Sequence, residues 1–168
     1  MKISTKVEFG IIAIIDIAVY SQNGCSVTAP DIAKRHNISK KYLEQILPSL
    51  TSTNLIRGQK GLNGGYVVAR DLSKITFKDI INALDTRVLN DVYFDSRDKN
   101  DMMTELINDR LWSAMSSYLQ NYAESITLAE MRNITNKTKL LHRLRLCNKE
   151  KKCSKIIELL HFFFSLLF

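Results

Sequence analysis

The sequence predicts a mainly α fold with a small β-hairpin wing: a winged helix-turn-helix domain plus a long dimerisation helix. Three observations carry this. Two short helical segments, one capped by Thr28 and the next by Ser39, stand a few residues apart. The stretch GLNGG, residues 61–65, then separates two β-prone runs. Beyond a polar connection, a segment of about 20 residues carries two adjacent apolar stripes.

The first segment, STKVEFGIIAIIDIAVYSQNG, is apolar nearly all round, as a helix buried deep in a small core must be. Asn23-Gly24 is its expected stop, because glycine takes up a left-handed conformation without penalty. At twelve residues and broken by Asp16, FGIIAIIDIAVY is far shorter than the ~20 residues that cross a membrane. In VTAPDIAKRHN, Thr28 can cap, Asp31 stands at capping-box spacing and Pro30 sits where its missing N–H is harmless, so a short helix ends near His36-Asn37. From Ser39, Leu43, Ile46, Leu47 and Leu50 fall on one stripe, while Lys40, Lys41, Glu44 and Gln45 remain for the other face. Pro48 removes the bond to the Glu44 carbonyl and is expected to bend or end this helix.

Two helices in this arrangement match a helix-turn-helix, whose second helix enters the major groove, although a helical hairpin in a bundle has the same pattern. The next segment decides between them. LIRGQK and YVVARD are strand-prone, and the Asn63-Gly64 pair between them is a strong hairpin signal, so a wing succeeds the helix pair. A phosphate-binding Walker loop would need Lys-Ser/Thr and a helix after it, and the GXXG clamp of KH domains joins two helices. The bare backbone instead suits close approach to a phosphate chain or a narrow groove, with Arg57 and Lys60 at its base.

TFKDIINAL, residues 76–84, closes the domain as an amphipathic helix. The expected organisation is a DNA-binding domain at 1–85, a polar effector-type loop at 86–105, a dimerisation helix with a short helix after it at 106–131, and a tail at 132–168. On the long helix, Leu111, Met115, Tyr118 and Tyr122 form one stripe, and Trp112, Leu119 and Ala123 form a second beside it. With no other large element to bury both, a partner chain is expected. Charge follows the same divisions: 12 Lys/Arg against 7 Asp/Glu in residues 1–90, 3 against 8 in 91–130, and 9 against 2 in 131–168. The basic first block implies an anionic partner such as nucleic acid.

With these motifs placed, the chain resembles the Rrf2 family of winged-helix transcription regulators over roughly residues 1–131. The resemblance rests on MKIST, DIAKRHNISKKYLEQIL, GQKGLNGGYVVAR, ITFKDIINALD, and LW with ITLAEM, all in order and spacing. It implies a homodimer, joined through the long helix, that sets two recognition helices into successive major grooves of a near-palindromic operator, acting as a repressor. It places Ser39, Lys40, Tyr42, Glu44 and Gln45 at the DNA surface. Glu44 suits a cytosine amino group, Gln45 suits adenine, and Lys40, Lys41 and Tyr42 suit phosphates. Ser4 and Lys6 would add backbone contacts, and Arg57, Lys60, Asn63 and Gly64 would form the wing contact. The dimer interface would draw on Leu111, Trp112, Met115, Tyr118, Leu119 and Tyr122.

Two departures qualify the resemblance. Family wings usually carry Arg-Gly where this chain has Lys60-Gly61, and a guanidinium desolvates into a narrow groove more cheaply than an ammonium. Cluster-binding members hold three cysteines before the long helix, whereas this chain has none between Cys25 and Cys147, and Asp109 stands where some members have a ligand. No iron-sulfur cluster, other cofactor or metal site is therefore expected, and a small-molecule or protein effector at 86–105 is left open. Cys25 is expected as a plain buried or turn cysteine, and Cys147 and Cys153 are too few for a closed metal site. The tail, basic and then apolar as IIELLHFFFSLLF, is too short to span a bilayer; a docking helix, a membrane-surface segment and a non-native extension stay open.

An odd cysteine count and the lack of a signal pattern point to the cytoplasm. No constellation of catalytic residues is present, so no enzyme is expected. The alternatives are a winged-helix protein-interaction module and a nonspecific nucleic-acid binder.

Overall fold

The computed structural model describes residues 3–22, 25–61, 64–90 and 102–149, with residues 90 and 143–149 described by backbone alone. Two compact units divide the chain, Met1–Arg132 and Asn133–Phe168. In the first, α1 (Thr5–Tyr20) begins at Ser4, whose side chain accepts from the Val7 N–H, and most of its length is buried. Its end at Tyr20 precedes the expected stop at Asn23-Gly24, which lies outside the described residues. Helix α2 (Ala29–His36) is capped by Thr28 and ends at Asn37 in the left-handed conformation, φ 54° and ψ 42°. Asp31 serves the cap differently from a reciprocal box: its carboxylate accepts from the Thr28 hydroxyl at 2.6 Å.

Helix α3 (Lys40–Ser52) starts from Ser39 and buries Leu43, Ile46, Leu47 and Leu50 on one side. It runs through Pro48, so the expectation that this residue could end the helix is corrected. The reason is position: Pro48 is exposed on the face of Lys41, Glu44 and Gln45, so the Glu44 carbonyl it deprives of a donor can turn to water. Strands β1 (Ile56–Gln59) and β2 (Gly65–Val68) pair antiparallel with Ile56 opposite Val68 and Gln59 opposite Gly65. Helix α4 (Phe77–Leu84) opens with a complete capping box between Thr76 and Asp79. The core joins α1, α2, α3, the hairpin base and α4 through Ile14, Ile17, Ile32, Leu47, Leu55 and Ile80, all fully buried.

The expected polar connection at 86–105 is partly helical. Helix α5 (Arg87–Asn90) buries Leu89, and α6 (Met102–Ile107) begins the long helix. Helical backbone continues from α6 through a π-type turn at Asn108–Trp112 into α7 (Ser113–Ser125). The helix after it, α8 (Leu128–Lys149), is longer than the short one expected, and Thr127 caps it reciprocally with Glu130. A one-residue β-bridge, Thr76 to Thr127, stitches the α7–α8 junction to the start of α4: Phe77 N–H donates to Ile126 C=O at 2.9 Å and Leu128 N–H to Ile75 C=O at 2.8 Å. Leu128, the first residue of α8, is itself fully buried in the main core, so the α7–α8 junction is part of the winged domain's packing. In the second unit, α8 continues with Ile134, Leu140 and Leu141 exposed. Cys147 lies among the residues described by backbone alone; Cys153 and the apolar run IIELLHFFFSLLF lie outside the described residues.

Candidate nucleic-acid interface

The turn between α2 and α3 needs three residues, Asn37, Ile38 and Ser39. Asn37 supplies the left-handed step, Ile38 is buried with its N–H donating to Ala33 C=O at 3.1 Å, and the Ser39 hydroxyl accepts from Tyr42 N–H at 3.1 Å. Ser39 is thus held by its capping role at the entrance of α3. Lys40, Lys41, Glu44 and Gln45 project from the exposed side of α3. Lys40 Nζ stands 3.5 Å from Glu44 Oε1, an exposed i,i+4 pair that competes weakly with any outside partner. Tyr42 is half-buried, its ring meeting Phe9 of α1 edge to face at 5.7 Å, so only its outer edge is available.

In the wing, Arg57 and Lys60 are exposed. Gly61 has φ 110°, a conformation that side chains oppose, and its carbonyl accepts from Gly64 N–H at 2.9 Å to close the tip. Asn63 lies outside the described residues. Gly65 is required by space: a Cβ there would stand 2.7 Å from Ser26 Oγ and 2.8 Å from Val27 C=O. That closeness lets Val27 pair with Tyr66 through two backbone bonds of 2.9 and 2.8 Å, which ties the wing to the segment leading into α2. The clustered glycines and the Asn-Gly pair made the hairpin legible; its third partner at Val27 had no local signal.

At the N-terminus, Ser4 is engaged as the α1 cap and Lys6 is half-buried. Lys6 lies near Asp85, whose carboxyl is held below its ordinary range chiefly by hydrogen bonds from Arg87, with Lys6 adding a smaller attraction. A feature that sequence reasoning missed lies behind the turn. Asp16 of α1 is buried, 3% exposed, and its carboxylate accepts from Arg35 Nε at 3.0 and 3.2 Å, from Arg35 Nη2, and from His36 Nε2 at 2.9 Å. The Arg35 guanidinium lies over the Tyr20 ring at 4.3 Å, and the Asp16 hydrogen bond raises its pKa further.

The long helix separates its two stripes by environment. Leu111, Met115, Tyr118 and Tyr122 are 50, 43, 70 and 58% exposed, and the two tyrosine rings stack at 6.4 Å. Leu119 and Ala123 instead pack with Ile81 and Leu89, and Trp112 is half-buried with a buried Nε1 that has no hydrogen-bond partner. Of the six residues expected at a dimer interface, Trp112 and Leu119 therefore face differently from the other four. Ser116 Oγ and Gln120 Nε2 cap the Leu89 carbonyl at 2.8 and 3.4 Å, fixing α5 on α7.

Cys25 is exposed, with its N–H donating to Gln22 C=O at 3.1 Å, so it is a turn cysteine and not a buried one. No helix among the described residues is long and apolar enough to cross a membrane.

Known proteins share this arrangement. The profile of the Rrf2 family, described as iron-dependent transcriptional regulators, matches residues 3–134. The chain is 30% identical over 133 residues to the HTH-type transcriptional regulator IscR of Yersinia pseudotuberculosis, which covers 79% of this chain and 80% of that protein; IscR of Serratia proteamaculans gives the same figures. Among solved structures it is similar to CymR, the global cysteine regulator of B. subtilis, with a TM-score of 0.67, 25% identity and coverage of 80% of this chain and 98% of that one. The T. potens IscR structure gives 0.64 and 28%, covering 82% and 90%.

The iron dependence in the family description does not fit this chain's donor set in the usual loop. Residues 86–105 contain neither cysteine nor histidine, and iron-sulfur clusters are held by thiolates. Among the described residues no group of three His, Cys, Asp or Glu side chains is placed to share a metal ion. The helix pair, its wing and the long helix nonetheless follow the family from residue 3 to residue 134, and on that extent of agreement this chain belongs to the Rrf2 family: it is a DNA-binding transcriptional regulator and not an enzyme.

Proposed function

We propose that the protein is a homodimeric repressor that reads a near-palindromic operator, with one α3 in each of two successive major grooves and each wing against the adjoining backbone. The observation that carries this is the division of α3: its inner stripe is fully buried, while Lys40, Lys41, Glu44 and Gln45 are all exposed and chemically suited to phosphates and base edges. In this reading Lys40 and Lys41 hold phosphates, Glu44 accepts from cytosine, Gln45 pairs with adenine, and Tyr42 offers its hydroxyl edge. Ser4, Lys6, Arg57, Lys60, Asn63 and Gly64 add contacts that position the domain without reading sequence. The exposed stripe Leu111–Met115–Tyr118–Tyr122 supports an isologous interface along the long helix, since so apolar a surface favours a second copy.

Regulation in this proposal uses no loop iron-sulfur cluster and no other cofactor; a small molecule or protein acting on residues 86–105 is the proposed input. Selecting duplexes from a random pool tests the reading: it predicts enriched sites with two related half-sites about one helical turn apart. Enrichment of a single unrepeated motif would count against the dimer, and no enrichment would count against sequence reading. Transcription in vitro from a promoter overlapping the selected site should fall as protein is added; a rise would reject repression.

A further inference from the structure

We propose that Asp16 is a positioning residue for DNA recognition, gripping the last turn of α2 through Arg35 and His36 and thereby setting the direction in which α3 leaves the turn. The proposal rests on α3 carrying the base contacts. A carboxylate whose side chain is only 1% exposed is costly in a core otherwise built from aliphatic side chains, and an apolar residue of similar size commonly serves stability as well or better. Its presence calls for a geometric reason.

The geometry supplies one. Arg35 and His36 are consecutive, so their side chains leave α2 about 100° apart around the helix axis, yet both converge on the same carboxylate. Two donors from two directions fix α2 against rotation as well as sliding. Tyr20, the last residue of α1, backs the Arg35 guanidinium. Only Asn37, Ile38 and Ser39 then separate the grip from the first turn of α3. Gln45 lies six residues beyond Ser39, roughly 9 Å along a helix at 1.5 Å per residue. A tilt of roughly 10° at the turn would move Gln45 by roughly 1.5 Å, enough to break a hydrogen bond to a base edge. Phosphate contacts by flexible lysines would follow such a tilt far more easily.

That difference defines the test, made on the full chain with a duplex selected from the random pool and a random duplex of equal length. His36→Ala leaves the Asp16–Arg35 pair in place and is expected to weaken binding to the selected site about threefold to tenfold, with random-duplex affinity and salt slope unchanged. His36→Gln, which can still donate to the carboxylate, should restore most of the loss, and amide exchange at Ile38 should quicken in the alanine variant only. Asp16→Asn should give a larger loss of the same kind; should it fail to fold, the His36 pair still decides. Wild-type affinity in His36→Ala overturns the proposal, as does equal weakening on both duplexes with a shallower salt slope, which would make His36 a phosphate contact. Gln45→Ala run alongside separates the two ideas: no change there fails the reading of α3 itself, whereas a loss there with silent His36 variants fails only the grip.

Discussion

Replacing Tyr118 by glutamate is the most direct probe of the long helix. Tyr118 is 70% exposed on a stripe whose neighbours Leu111, Met115 and Tyr122 are also open. A tyrosine side chain presents roughly 200 Å², so about 140 Å² of Tyr118 awaits cover. An isologous interface counts it twice. Covering half of that area at about 25 cal/mol per Å² contributes about 3–4 kcal/mol to the pair, equivalent to roughly a hundredfold to a thousandfold in the dimer dissociation constant. The glutamate adds the cost of two like charges facing one another. Because Tyr118 belongs to neither buried cluster, the subunit fold and its thermal midpoint in dilute solution should survive. Sedimentation equilibrium across a micromolar range should show the parent as dimer and Tyr118→Glu as monomer. A variant that dimerises with the parent's constant would refute the placement of the interface. Trp112→Glu is a poorer probe, since its half-buried ring would make folding and assembly fail together.

Four further outcomes rest on named residues. Gln45→Ala should relax preference at one base step in each half-site by ~1–3 kcal/mol, read by competition with single-base variants of the selected site. Lys60→Ala should weaken selected and random duplexes alike and flatten the plot of log affinity against log salt by about 0.9 for each phosphate no longer neutralised. Gly10→Ala puts a Cβ 2.4 Å from Leu84 Cδ2 where α1 crosses α4, so thermal or urea unfolding should show a loss of about 1–3 kcal/mol. The Thr28 hydroxyl holds the Asp31 carboxyl below its ordinary range, so the stability lost in Asp31→Asn should be constant above about pH 4 and should vanish as pH falls through the lowered value.

How far the sequence disclosed the molecule depends on whether each signal was local. Thr28, Ser39 and Thr76 each act on an amide three residues away, so α2, α3 and α4 could be read directly from spacing. The hairpin was legible for the same reason, through glycines that a tight turn demands. The grip on Asp16 was not, because its partners lie 19 and 20 residues away and a single charge in an apolar run carries no mark of what meets it. Pro48 misled because its effect depends on which face of α3 meets water. The two stripes of the long helix were visible as a pattern, but only packing of Leu119 and Ala123 against Ile81 and Leu89 shows which stripe is buried within the chain itself. The polar expectation at 86–105 missed α5, in which Leu89 is buried and its carbonyl is held by side chains far along the chain, Ser116 and Gln120.

Competition binding at near-physiological salt decides whether the exposed face of α3 reads base sequence. The selected operator should be preferred over random duplex of the same length by at least ~10³-fold. A ratio close to one, with both affinities falling equally as salt rises, would show a protein that holds phosphates and ignores bases.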